Sequence, residues 1–226
     1  MSRIARIVAK GFPHHVIQRG NNSEKVFFTD EDREMYLSLL RTYSEKWNSP
    51  ILAYCLMTNH VHLLTKPKSE ESLSKMMQGL TLCYTQYCNR AHKRTGRLWE
   101  SRYHSCVVER DTYLWVVARY IEQIPVRAKV VRKPEDFRYS SARAHILGVK
   151  DETLTEPLFN EETRADYKKF VKGVIPEKEK DAIRTTARTG RPLGSDRFLA
   201  RLQRKLKRNL AVKASGRPRK AGIERE

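Results

Sequence analysis

Two apolar runs, Ile51–Met57 and His60–Thr65, flank a two-residue polar link, Thr58-Asn59. Runs this short, joined this tightly, read as two strands of a hairpin. The hairpin limits what the rest of the chain can build. Before it comes the short run His14-His15-Val16-Ile17-Gln18-Arg19, closed by a Gly-Asn-Asn turn. A helix follows that Thr29 or Asp30 can cap, with Met35, Leu39 and Leu40 on its apolar face, ending near Trp47 before Pro50. After the hairpin, a second helix starts near Ser69 or Ser72 and runs to about His92. A strand fits residues 105–109, and a third helix begins at Asp111 and stops before Pro125. The order strand, helix, strand, strand, helix, strand predicts an α+β fold, the ferredoxin-like split βαβ, with an antiparallel sheet and helices on one face. The closing helix is expected across the sheet near the His60 strand.

Charge restricts the partner. The 226 residues carry a formal net charge of +19, which argues for a polyanion, most simply nucleic acid. A basic membrane-surface protein is the competing class. No apolar run approaches the roughly 20 residues of a spanning helix, and the N-terminus lacks the apolar segment of a signal peptide; a cytoplasmic protein is expected. Cys55, Cys83, Cys88 and Cys106 form no Cys-x-x-Cys pair and read as reduced thiols in or near the core.

The charge is unevenly spread. Residues 183–226 hold 14 of the 45 lysines and arginines but 3 of the 26 acids, a net +11. Three segments are expected: a main folded domain over 1–150, a charged connection over 151–182 with a helix over 161–171, and a basic, partly helical C-terminal extension over 183–226. In that extension Phe198, Leu199, Leu202, Leu206 and Leu210 recur at helical spacing behind Ser195, which can cap a helix there. This helix is expected to dock on the main domain or to pair with another subunit.

Chemistry centres on His60-Val61-His62. On a strand both imidazoles project from one face. They are either half of a divalent-metal site or two polar positions turned to solvent. Tyr120, in Ala118-Arg119-Tyr120-Ile121-Glu122-Gln123-Ile124-Pro125-Val126-Arg127-Ala128, is either a core aromatic of an amphipathic helix or a nucleophile for a phosphodiester. In the second case its phenol needs positive charge nearby, from a metal and from Arg119 or Arg127.

His60-Val61-His62, taken with Arg119-Tyr120-Ile121-Glu122 and Pro125-Val126-Arg127-Ala128, resembles the single-tyrosine HUH transposases (His–hydrophobic–His), and among them the REP-associated tyrosine transposases. Arg94-Thr95-Gly96-Arg97-Leu98-Trp99-Glu100-Ser101-Arg102-Tyr103, Tyr139-Ser140-Ser141 and Gly190-Arg191-Pro192-Leu193-Gly194 fit that branch too. The likeness spans roughly residues 10–150, with weaker support to the end. It implies a single-strand DNA endonuclease and strand transferase that depends on Mg²⁺ or Mn²⁺ and uses no small-molecule cofactor. It implies hairpin substrates from repetitive palindromes, a 5′-phosphotyrosine intermediate and a free 3′ hydroxyl. A monomer is expected rather than a dimer. Carried over, His60 and His62 are metal ligands and Tyr120 is the nucleophile.

One position departs from the family. The residue four beyond the tyrosine, an Asn or Gln that completes the metal site, is Ile124 here. Gln123, on a neighbouring part of the helix, is the expected substitute. The alternative is a domesticated transposase of weakened catalysis that binds hairpins; an RNA-binding protein is a third reading.

Further DNA contacts are expected from Arg90, Arg94, Arg97 and Arg102, interleaved with aromatics, and from Arg119 and Arg127. Trp99 is either a base-stacking residue or a core anchor. Arg19 with Asn22 is expected to read a guide segment. Arg217 and Arg219, around Gly216-Arg217-Pro218, resemble a minor-groove AT-hook.

Overall fold

The computed structural model describes residues 6–210. A four-stranded antiparallel sheet is built from β1 (His14–Arg19), β2 (Ile51–Met57), β3 (His60–Thr65) and β4 (His104–Val107), in the order β2-β3-β1-β4. With α1 (Asp30–Lys46) between β1 and β2 and α2 (Ser72–Ala91) between β3 and β4, this is the split βαβ topology read from the sequence. Met57 pairs with His60 across the hairpin, so Thr58 and Asn59 alone make the turn. Gly20 lies against that turn and donates its N–H to Asn59 O at 2.8 Å. A Cβ there would meet the Glu24 carbonyl oxygen at 2.2 Å, so only glycine allows the approach.

Thr29 caps α1 in a reciprocal box with Asp32. Asp32 also meets His92 Nε2 at 2.9 Å, which ties the end of α2 to the start of α1. Both helices cover the sheet face formed by Val16, Tyr54, Leu56, Val61 and Leu63.

The third helix lies across the sheet near the His60 strand, as expected, but not on the face that α1 and α2 cover. α3 (Arg110–Glu122) packs on the opposite face, against Leu52, Cys55, Met57 and Leu64. The physical reason is that every residue of β2, and β3 from Val61 onward, is buried. A sheet apolar on both faces needs helices on both. α3 stops at Glu122 and the chain restarts as a short helix, α4 (Ile124–Arg127), with Pro125 in its first turn, where a missing N–H costs nothing.

Three further helices complete this second layer: α5 (Ala142–Leu147), α6 (Arg164–Lys172) and α7 (Glu177–Thr189). The charge boundary expected at 182/183 falls inside α7, whose Ile183 and Ala187 are buried. The charge of this segment and its packing thus follow different boundaries. Beyond α7, Leu193 bridges Val108 in parallel beside β4. Ser195, held by Glu109, caps α8 (Asp196–Leu206). α8 docks Phe198 and Leu202 on Ala9 and Val107 and ends at Leu206, short of the expected Leu210. The four cysteines are free thiols; three are buried and Cys83 is half-buried. Among the described residues no helix is long and apolar enough to cross a membrane.

Candidate active site

Antiparallel register decides what shares the α3 face of the sheet. His60 is paired with Arg19, His62 with Ile17, and Leu64 with His15. Side chains two apart along β1 and β3 therefore point to the same side, and His15, Arg19, His60 and His62 form one polar corner of an otherwise apolar layer. His15 and His62, diagonal neighbours, meet through Nε2 and Nδ1 at 2.9 Å. His60 and His62 have ring centroids 5.2 Å apart.

The donor chemistry of the pair is well defined. His60 Nδ1 meets Asn59 Oδ1 at 2.7 Å, and His62 Nδ1 is taken by His15. Neither Nε2 has a partner among the described residues. Burial pushes the His60 imidazole down to about 4, helped by the charge of Arg19. Burial also holds His62 well below its ordinary value, with His15, His60, Arg127 and Arg19 adding to the effect. His15, with no exposed surface, is pushed down by burial to about 3. All three rings are neutral near pH 7, the form in which an imidazole nitrogen can bind a metal.

α3 brings Tyr120 over this corner. Leu114, Val117, Ala118 and Ile121 seat the helix, and Tyr120, 8 % exposed, has its ring centroid 6.3 Å from His62 and 6.1 Å from His15. Arg127, from α4, lies 4.2 Å above the Tyr120 ring and donates to the Tyr120 carbonyl at 2.9 Å. Arg184, from α7, reaches the same side chain; hydrogen bonding to Tyr120 is the largest influence raising its guanidinium pKa. Its other partners are Glu177 at 3.2 Å and Asp181 at 3.4 Å. Two guanidinium groups thus stand beside the tyrosine.

Glu122, two residues on, points into the protein and is fully buried. It accepts from Ser141 Oγ at 2.6 Å, His145 Nδ1 at 2.5 Å and Tyr167 Oη at 2.8 Å. Ser141 in turn bonds the backbone of Tyr54 in β2. This network fixes the end of α3, and with it Tyr120, to the sheet, α5 and α6.

Several expected site residues are placed elsewhere. Gln123 donates its amide to Val171 O at 2.5 Å and Gly173 O at 2.8 Å, two carbonyls at the end of α6 that need donors. Those two bonds engage the amide nitrogen of Gln123, the donor end of a side chain expected to ligate through its oxygen. Ile124 is 7 % exposed and belongs to the apolar layer. Arg119 is buried against Glu179 at 2.6 Å and lies over the Phe170 ring, so it is neither beside the tyrosine nor open to DNA. Trp99, 6 % exposed, packs with Tyr36 and Tyr84 as a core anchor; it is not a stacking platform.

The remaining basic residues are surface groups. Arg19, Asn22, Arg90, Arg97 and Arg102 are exposed; Arg94 is half-buried, 3.6 Å from Glu24. The backbone of Leu98, Trp99 and Glu100 runs beside Asn21, Gly20 and Arg19. The basic loop therefore flanks the end of the sheet where His60 sits. Arg217 and Arg219 lie outside the described residues.

His15 and Arg184 were not singled out from the sequence. His15 alternates correctly along β1, but only the strand register reveals its meeting with His62. Arg184 carries no local signal: it is one of two arginines in a helix of mixed charge.

A family model described as "Transposase IS200 like" matches residues 9–124, from the strand-leading segment through the end of α3. No curated protein matches the chain. Among solved structures, that of a REP-associated tyrosine transposase bound to a REP hairpin superposes with a TM-score of 0.56 at 16% identity, covering 71% of this chain and 94% of that one. A Deinococcus radiodurans protein described as a transposase is 20% identical over 54% of this chain and 96% of its own, with a TM-score of 0.38.

Proposed function

Given that this chain belongs to the IS200-like transposase family, we propose that it is a metal-dependent single-strand DNA endonuclease and strand transferase of the REP-associated branch, acting on hairpin DNA through a 5′-phosphotyrosine intermediate. The observation that carries this reading is the convergence of Tyr120 on His62, 6.3 Å between ring centroids, from elements 58 positions apart in sequence. A tyrosine that merely filled the core would not need two guanidinium groups and two histidines around it.

The donor set fits a divalent ion in part. His60 and His62 offer neutral Nε2 atoms on one rigid strand, and Ile124 and the engaged amide of Gln123 leave other positions to water or phosphate oxygens. No group of three or more His, Cys, Asp or Glu suited to a metal is found among the described residues. Held by His60 and His62, Mg²⁺ or Mn²⁺ would polarise the scissile phosphate.

The protein's own groups account for the rest. Tyr120 Oη forms a bond to phosphorus while the bond from phosphorus to the 3′ oxygen breaks. The phenolic proton passes to water, and the departing 3′ oxygen takes one from solvent. Arg127 and Arg184, beside the tyrosine, hold the phosphate in line. Arg19, Arg97 and Arg102 track the strand entering the site, with Asn22 beside Arg19. The superposing structure is that of a REP hairpin complex, which supports a hairpin as substrate.

The test is incubation of the full chain with a labelled single-stranded hairpin and Mn²⁺. A denaturant-resistant protein–DNA adduct is expected, absent in Tyr120→Phe and in His62→Ala. Hairpin binding with no adduct under any metal would refute the nuclease. It would leave the second reading, a hairpin-binding protein, which Ile124 favours.

A further inference from the structure

His15 has a chemistry that packing does not explain. It has no exposed surface, and the polar contact its ring makes among the described residues is the 2.9 Å hydrogen bond to His62 Nδ1. Its own Nδ1 is buried without a partner. Burying an imidazole with one ring nitrogen unpaired costs free energy that an aliphatic residue at the same place would not. The contact is well built: the two rings are within 26° of parallel, with centroids 5.2 Å apart.

Two neutral imidazoles joined by a hydrogen bond share one proton, so one ring donates and the other accepts. His62 can offer its Nε2 lone pair only when its Nδ1 carries the hydrogen, and His15 Nε2 must then accept it. Asn59 Oδ1 is an acceptor in the same place for His60 Nδ1, at 2.7 Å. The two histidines of the His-Val-His strand thus each have an acceptor behind Nδ1, one an amide and one an imidazole.

We propose that His15 is a positioning residue for the metal site: it accepts the Nδ1 hydrogen of His62, fixing the tautomer and ring angle that aim Nε2 at the ion. This rests on the metal-site reading above. Outer partners of this kind are worth roughly ten- to a hundredfold in metal affinity.

The experiment is calorimetric titration of the full chain with Mn²⁺, comparing wild type, His15→Phe, His15→Gln and His62→Ala, with thermal melting and metal-free hairpin binding as controls for folding. His15→Phe is expected to weaken Mn²⁺ binding by about tenfold or more. His15→Gln, whose Oε1 falls near the lost Nε2, is expected to recover most of it. Equal affinity in wild type and a folded His15→Phe would overturn this inference while leaving the metal reading intact. A wild type that binds no Mn²⁺, or binds it as well as His62→Ala does, would overturn both. A second readout needs no variant. In long-range ¹H–¹⁵N spectra of the Zn²⁺-loaded wild type, His62 must be protonated at Nδ1 and His15 bare at Nε2. The reverse assignment overturns the proposal.

Discussion

Replacing Tyr167 with phenylalanine isolates one hydrogen bond in the network that anchors the end of α3. Tyr167 Oη donates to Glu122 Oε2 at 2.8 Å, and that oxygen has no other donor among the described residues; Ser141 and His145 both serve Oε1. Glu122 is fully buried, so water cannot substitute without opening the core. The ring itself stays, keeping its edge contact with Trp115, centroids 5.4 Å apart. The loss is therefore one hydrogen bond to a charged, desolvated acceptor, worth about 1.5–3 kcal/mol. For a domain of this size that lowers the melting temperature by roughly 2–4 °C per kcal/mol. Glu122→Ala strands three donors at once and should cost more, about 3–5 kcal/mol. Urea unfolding measures both: the midpoint should fall with an unchanged slope. In a Glu122→Gln background the Tyr167→Phe effect should shrink, giving a coupling energy of about 1 kcal/mol or more. If Tyr167→Phe changes stability by less than about 0.5 kcal/mol, the network is not what holds α3 in place.

Acid should destabilise the protein through His14. Its Nδ1 donates to Phe12 O at 2.8 Å and its Nε2 accepts from Ala9 N at 3.2 Å, so the fold needs the neutral ring. Burial pushes its pKa down to about 4, whereas the unfolded chain takes the proton near 6.5. Stability is thus complete above pH 6.5 and is lost as pH falls toward 4, by about 3 kcal/mol from this ring alone; unfolding curves at pH 7.5 and pH 4.5 that coincide would refute it. Arg184→Gln should slow adduct formation by about tenfold or more while changing hairpin affinity less, measured as single-turnover rate against equilibrium binding. Ile124→Gln should tighten Mn²⁺ binding if water fills the position four beyond Tyr120, and calorimetry decides. Replacing Arg97 and Arg102 by alanine should reduce the salt dependence of single-strand binding by about 0.7 in log–log slope for each phosphate no longer neutralised.

The elements of this protein are written locally. Strand alternation in His60-Val61-His62, the caps at Thr29 and Ser195, and the break in the helix just before Pro125 depend on residues within a few positions of one another. The strand and helix order alone specified the split βαβ topology, and His60-Val61-His62 together with the residues around Tyr120 carried the family resemblance. Tertiary structure decided what no local pattern holds. It put α3 on the second face of the sheet because both faces of the central strands are apolar. It turned the Gln123 amide nitrogen to carbonyls at the end of α6 and Arg119 to Glu179, since buried carbonyls and charges need partners, and it packed Trp99 in the core. It placed His15 behind His62 through strand register and carried Arg184 across 64 positions to Tyr120. Periodicity tells which way a side chain points along its own element; what it meets there depends on register and on packing between distant segments, which only the folded chain supplies.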